Sequence, residues 1–155
     1  MEQRLDILLV DDDRTDLALF RRAVVATALQ IRLTTLNAGQ QAIDYLEAKR
    51  EYSNRSLYPL PDLIVVDLKM PGVNGFDFLA WRKASTLFSP IPVVILSGSN
   101  ESSDVKRIFE LGANKHVLKP TDFEDWGKII REIWDFGIKG TAFLRAKKIR
   151  ASGDT

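Results

Sequence analysis

Two short apolar runs, Ile7-Leu8-Leu9-Val10 and Leu63-Ile64-Val65-Val66, contain no polar residue, and each stops abruptly at an aspartate, Asp11 and Asp67. A third, Val93-Val94-Ile95-Leu96, stops at Ser97-Gly98-Ser99. A strand with one face in water alternates apolar and polar residues. An unbroken run suits a strand covered on both faces, which is the habit of parallel sheets in α/β proteins. The three runs therefore read as central strands. Weaker patterns at Ile31 to Leu36 and at His116-Val117-Leu118 bring the expected number to five.

Helical spacing fills the intervals. Leu17, Phe20 and Val24 mark one helix after Asp13, and Ala42, Tyr45 and Leu46 a second after Gly39. A third follows Gly75, where Phe76, Phe78, Leu79 and Trp81 do not share one face, so at least one aromatic is expected to be partly exposed. Val105, Ile108 and Phe109 mark a fourth, with Ser102 or Ser103 as its cap and an end near Gly112. The last is the clearest: Phe123, Trp126, Ile129, Ile130, Ile133 and Trp134 recur at three- and four-residue steps, with Thr121 and Asp122 offering a cap. Strands alternating with helices imply right-handed βαβ units, hence an α/β, doubly wound five-stranded parallel sheet with helices on both faces. The segment from Arg50 to Pro61 is long for a connection, and its Tyr52, Leu57 and Tyr58 are expected to pack back on the surface. After Gly137 the periodicity weakens and Gly140 interrupts it. Residues 1–137 are therefore expected to form one domain and 138–155 a basic tail carrying Lys139, Arg145, Lys147, Lys148 and Arg150.

Composition narrows the function classes. A length of 155 residues with 45% hydrophobic content suits one core. A formal charge of +1 draws the chain toward neither nucleic acid nor an anionic membrane, and the tail reads as a solvated end. With no cysteine there is no disulfide or thiolate metal site, in keeping with a cytoplasmic location. The polar Met1 to Asp6 segment runs straight into a strand, and no apolar stretch approaches the roughly 18 residues of a membrane span, so neither export nor membrane insertion is expected.

In open α/β sheets the functional crevice lies beyond the carboxyl ends of the strands, so the residues just past each strand spell out the site. Strand one delivers Asp11, Asp12 and Asp13, strand three Asp67, strand four Ser97, and strand five Lys119. Converging carboxylates repel one another unless a cation lies between them. Oxygen-only ligation with room for water and phosphate favours Mg²⁺. A carboxylate beside Mg²⁺, with an ammonium and a hydroxyl opposite, has the parts for phosphoryl transfer: Asp67 as nucleophile, Lys119 to neutralise charge, Ser97 to hydrogen-bond a phosphoryl oxygen. The Lys119–Pro120 bond could be cis or trans. Singly, each aspartate reads equally well as a solvated turn or a helix cap. Together, at matching strand ends, they read as a site.

The motifs Leu9-Val10-Asp11-Asp12, Val66-Asp67-Leu68-Lys69-Met70-Pro71-Gly72-Val73-Asn74-Gly75, Val94-Ile95-Leu96-Ser97-Gly98-Ser99 and Leu118-Lys119-Pro120 resemble the receiver domains of two-component response regulators, over about Leu5 to Phe136. The resemblance implies a flavodoxin-like strand order 2-1-3-4-5, and phosphorylation of Asp67 by a sensor histidine kinase in a phosphorelay. It also implies direct Mg²⁺ ligation by Asp12, Asp67 and the backbone carbonyl of Lys69, with Asp11 acting through water. The long connection, the aromatic last helix and the lack of a DNA-binding output domain are similar to small regulators paired with phytochrome-type kinases.

Two positions depart from the commoner family pattern. Ser97 stands where threonine is frequent, and keeps the donor while losing the methyl that biases its rotamer. His116, the single histidine, stands where tyrosine or phenylalanine is common; as a switch residue with Ser97 it would respond to pH, and as a packing residue it would not. Lys69 reads either as a surface lysine or as a shield that lengthens the phosphorylated lifetime. Trp134 and Phe136 read either as flank of the last helix or as a homodimer face. An aspartate-nucleophile phosphohydrolase is the rival enzyme reading. Lys69 stands at the second place after Asp67, where such enzymes carry an acid, so a non-enzymatic switch is expected.

Overall fold

A computed structural model describes the backbone of residues 3–153 and the side chains of residues 3–142. Strands β1 (Leu5–Val10), β2 (Ile31–Leu36), β3 (Leu63–Val66), β4 (Val93–Ser97) and β5 (Lys115–Leu118) form one parallel sheet in the order β2-β1-β3-β4-β5. The three unbroken apolar runs are its three interior strands, and all of β3 and β4 is buried. The alternating Ile31 to Leu36 segment and the His116 segment are its two edges, where one flank lacks a neighbour.

Helices α1 (Arg14–Thr27) and α5 (Phe123–Gly153) cover one face, and α2 (Gly39–Leu46), α3 (Gly75–Lys83) and α4 (Ser102–Glu110) the other. Each side has its own core. Phe20, Trp126, Ile130 and Ile133 meet Leu5, Ile7, Leu9 and Val65 of the sheet on the first face. Tyr45, Leu46, Phe78, Leu79 and Ile108 meet Leu8, Ile64 and Ile95 on the second. Every such side chain contributes roughly 1.5–3 kcal/mol when fully buried, which outweighs the few tenths of a kcal/mol in local helix propensity.

Local chemistry starts the helices. The Asp13 carboxylate accepts from the N–H groups of Thr15 and Asp16 at 2.9 and 3.1 Å and caps α1. Asn74 and Asp77 form a reciprocal capping box on α3. Phe78 of α3 is buried, whereas Phe76 and Trp81 are half-exposed, as the unshared face implied. The Arg50 to Pro61 connection opens with a short 3₁₀ turn (Arg50–Tyr52) and packs back, with Tyr52 buried between Tyr45 and Tyr58 at ring distances of 5.3 Å each.

The structure departs from the expected helix ends in two places. Helix α4 is not capped by Ser102 or Ser103: both lie inside it, and the capping position is Glu101, whose side chain makes no capping hydrogen bond. Nor does Gly140 interrupt the last helix, which runs 31 residues through Gly137 and Gly140 to Gly153. Gly137 is a close-approach residue: a Cβ there would lie 2.6 Å from Leu5 Cδ1, so its absence lets α5 settle onto β1. The expected division at residue 137 thus falls within a continuous helix. The side chains of Arg145, Lys147, Lys148 and Arg150 lie outside the described residues. Lys119–Pro120 is trans, as no cis peptide occurs among the described residues.

Candidate phosphoryl-transfer site

The sheet ladder continues one residue past several strands and holds the site residues in register. Asp11 N–H donates to the Leu36 carbonyl at 3.0 Å, Asp67 N–H to Val10 at 2.9 Å, and Lys119 N–H to Ser97 at 2.9 Å. Three candidate residues are thereby held by backbone hydrogen bonds at the carboxyl end of the sheet. Helix α3 closes the next side, with Gly75 N–H on the Leu68 carbonyl at 2.9 Å. A Cβ on Gly75 would meet the Asp67 carbonyl oxygen at 2.7 Å, so glycine is required for this approach.

Carboxylate oxygens of Asp11, Asp12 and Asp67 lie within 4.8 Å of one another; Asp11 and Asp67 are buried and Asp12 is exposed. Asp67 Oδ1 accepts the Leu68 N–H at 2.7 Å, and Asp11 Oδ1 accepts the Asp13 N–H at 2.9 Å. Their other oxygens face Lys119 Nζ, at 2.8 Å from Asp11 Oδ2 and 3.2 Å from Asp67 Oδ2. Ser97 is buried, and its hydroxyl oxygen accepts the Ser99 N–H at 3.1 Å. Asp67, Ser97 and Lys119 line an open cleft of about 450 Å³ with Lys69 and residues 98–101. The Lys69 side chain is exposed.

Burial pushes the Asp11 carboxyl up from 3.8 to about 6, against the opposing hydrogen bond from Lys119. Burial alone would lower the Lys119 ammonium, but hydrogen bonds to Asp11 and Asp16 and the charges of Asp11 and Asp67 outweigh it and raise the pKa. The two directions agree physically: Asp11 sets its lost hydration against one ammonium, whereas Lys119 collects several carboxylates for a single burial penalty. Burial thus makes holding the Asp11 carboxylate ionised costly. A hard cation among these oxygens would offset that cost, so the donor set fits Mg²⁺.

The structure brings Asp67, Lys69, Ser97 and Lys119 to one cleft, and Asp11 and Asp12 join Asp67 in the carboxylate cluster. His116 stands apart, half-buried on β5 beside Ile95 and two residues before Leu118, the partner of Ser97. Sequence reasoning missed Asp16, in the first turn of α1, whose Oδ2 accepts from Lys119 Nζ at 2.8 Å. An acid in a first helical turn reads as a complement to the helix dipole. Its partner lies 103 residues away, with no local signal.

The chain is similar to known proteins in sequence and in fold. Residues 7–131 match the model of the response regulator receiver domain. The chain is 34% identical over 130 residues to the probable methanogenesis regulatory protein FilR2 of Methanothrix harundinacea, covering 84% of this chain and 81% of that protein. It is 32% identical to the response regulator Rcp1 of Synechocystis, covering 86% and 88%. The Mn²⁺-bound structure of Rcp1 superposes with a TM-score of 0.75 at 31% identity, over 85% of this chain and 93% of that one. The phosphorylated cyanobacterial phytochrome response regulator RcpA superposes with a TM-score of 0.79 at 29% identity, over 88% and 95%.

Proposed function

The chain belongs to the response regulator receiver domain family, and from that premise we propose that it is a phospho-acceptor switch in which Asp67 takes a phosphoryl group from a sensor histidine kinase. The observation that carries the reading is the Asp67 carboxylate, held at a strand tip 3.2 Å from Lys119 beside two further aspartates. In the transfer, an Asp67 oxygen forms the new O–P bond while the P–N bond to the donor imidazole breaks. The imidazole keeps the bonding pair and takes up a proton. Lys119 neutralises the phosphoryl oxygens, and the Ser97 hydroxyl, which accepts the Ser99 N–H, donates its own proton to one of them.

Asp11, Asp12 and Asp67 would hold Mg²⁺ with the Lys69 carbonyl, and that ion supplies charge neutralisation to the transferred group. In this reading Ser97 and His116, on the neighbouring strands β4 and β5, act as the switch pair. Lys69, exposed at the cleft, would shield the phosphoryl group from water. The likeness to RcpA and Rcp1 supports a phytochrome-type kinase as the partner. The product is a conformational signal passed on by protein contact in the cytoplasm, not a released molecule, and the partners include neither nucleic acid nor membrane. Among the described residues no helix is long and apolar enough to cross a membrane. A homodimer through α5 is the assembly that its half-exposed Trp134 and Phe136 favour.

Incubation with acetyl phosphate and Mg²⁺ tests the central claim by mass spectrometry. The chain should gain one phosphoryl group, and the gain should vanish in Asp67→Asn and on adding a chelator. An unchanged mass in the parent chain overturns the reading.

A further inference from the structure

Lys119 directs its ammonium at three carboxylates: Asp11 Oδ2 at 2.8 Å, Asp16 Oδ2 at 2.8 Å and Asp67 Oδ2 at 3.2 Å. Two of these, Asp11 and Asp67, belong to the oxygen group that suits a cation. Asp16 does not belong to that group. It stands on the first turn of α1, its N–H held by the Asp13 carboxylate at 3.1 Å, with its side chain 23% exposed.

This division matters as soon as the cluster is occupied. A cation among Asp11, Asp12 and Asp67 repels the Lys119 ammonium and competes with it for two of its three partners. Once Asp67 carries phosphorus, its carboxylate charge is gone and the ammonium must turn toward the phosphoryl oxygens. Neither event uses the oxygens of Asp16, which stands outside the Asp11, Asp12 and Asp67 group.

We propose that Asp16 is a positioning residue that tethers Lys119 in the cleft while a cation and the phosphoryl group occupy the other carboxylates. This rests on the phospho-acceptor reading of Asp67. Asp16 touches neither the cation nor the phosphoryl group and acts through Lys119.

A double-mutant cycle on the full chain tests it: Asp16→Asn and Lys119→Met, singly and together, with Mn²⁺ affinity read from the free-ion EPR signal. With Lys119 present, losing the tether leaves the ammonium leaning on Asp11 and Asp67, and Mn²⁺ binding should weaken about fivefold or more. With Lys119→Met the same change should weaken it less than about twofold. Equal factors in the two backgrounds would mean that Asp16 acts only as a remote charge, and would overturn the tether. In a second readout at saturating Mg²⁺, acetyl phosphate labelling of Asp16→Asn should slow about tenfold, and Asp16→Glu should recover most of the rate. Labelling at the parent rate also overturns the proposal. If the parent chain takes no phosphoryl group, the phospho-acceptor reading fails, whereas the Mn²⁺ cycle still decides whether Asp16 holds Lys119. Circular dichroism checks the fold of each variant, and Asp16→Ser replaces Asp16→Asn should the latter unfold.

Discussion

Among the described residues, Arg82 is the most deeply buried charged side chain away from the cleft, with 4% of its surface exposed. Its guanidinium donates to the carbonyls of Ser89, Ile91 and Gly112 and to Asn114 Oδ1, at 2.9 to 3.1 Å, and burial lowers its pKa. Desolvation alone would make such a residue a liability; four hydrogen bonds to fixed acceptors reverse the balance. Arg82→Met keeps the stem length and strands the acceptors, so unfolding in urea should show a loss of about 3–5 kcal/mol. A loss below about 1 kcal/mol would mean that water replaces the guanidinium freely. Arg82 and Asp16 share the reason why neither role is legible in the sequence: their partners lie outside their own helices, up to 32 and 103 residues away. Asp11, Asp67, Ser97 and Lys119 are legible because each directly follows, or ends, a strand. The strand ends of a parallel sheet meet at one edge whatever the remaining residues do.

Among the elements, α1 ends in a left-handed residue that is not glycine. Ala28 sits at φ 57°, and its N–H closes on the Val25 carbonyl at 3.2 Å. The left-handed conformation costs an L residue roughly 1–2 kcal/mol, partly offset by the smaller chain entropy of alanine in the unfolded state. Ala28→Gly should therefore stabilise the chain by about 0.5–1 kcal/mol and raise Tm by about 1–4 °C in a thermal melt. A lowered Tm would show that the turn carries less strain than alanine saves in chain entropy. The ends of elements are the least legible part of the sequence. Gly137 and Gly140 carry the composition of a helix stop, but tertiary contact with Leu5 turns the first into a packing position. The start of α4 misleads for the converse reason: its serines suggest a cap, and the chain enters the helix at Glu101 without one.

At the scale of the molecule, α5 extends well past residue 131, where the family match ends, and at 1.5 Å per residue it spans about 46 Å. Its first half is committed: Trp126, Ile130 and Ile133 are buried against α1 and the sheet, and Trp134, Phe136 and Ile138 pack partly on the same core. Pairing of two chains along α5 would bury the remaining faces of Trp134 and Phe136. Sedimentation equilibrium should then give twice the 17.5 kDa chain mass, moving toward the monomer in Trp134→Glu. A monomer at every concentration tested would refute the assembly.

The sheet also separates the tryptophans. Trp81 stacks on Phe88 at 5.5 Å in the α2–α3–α4 layer, whereas Trp126 meets Phe20 edge-on at 6.3 Å on the opposite side. Each layer therefore carries its own intrinsic fluorophore in a different ring environment. With Trp134 and one of the other two replaced by phenylalanine, the emission of the survivor reports the looseness of a single layer. The light from the two faces can then distinguish a signal that spreads through one half of the molecule from one that crosses the wall between them.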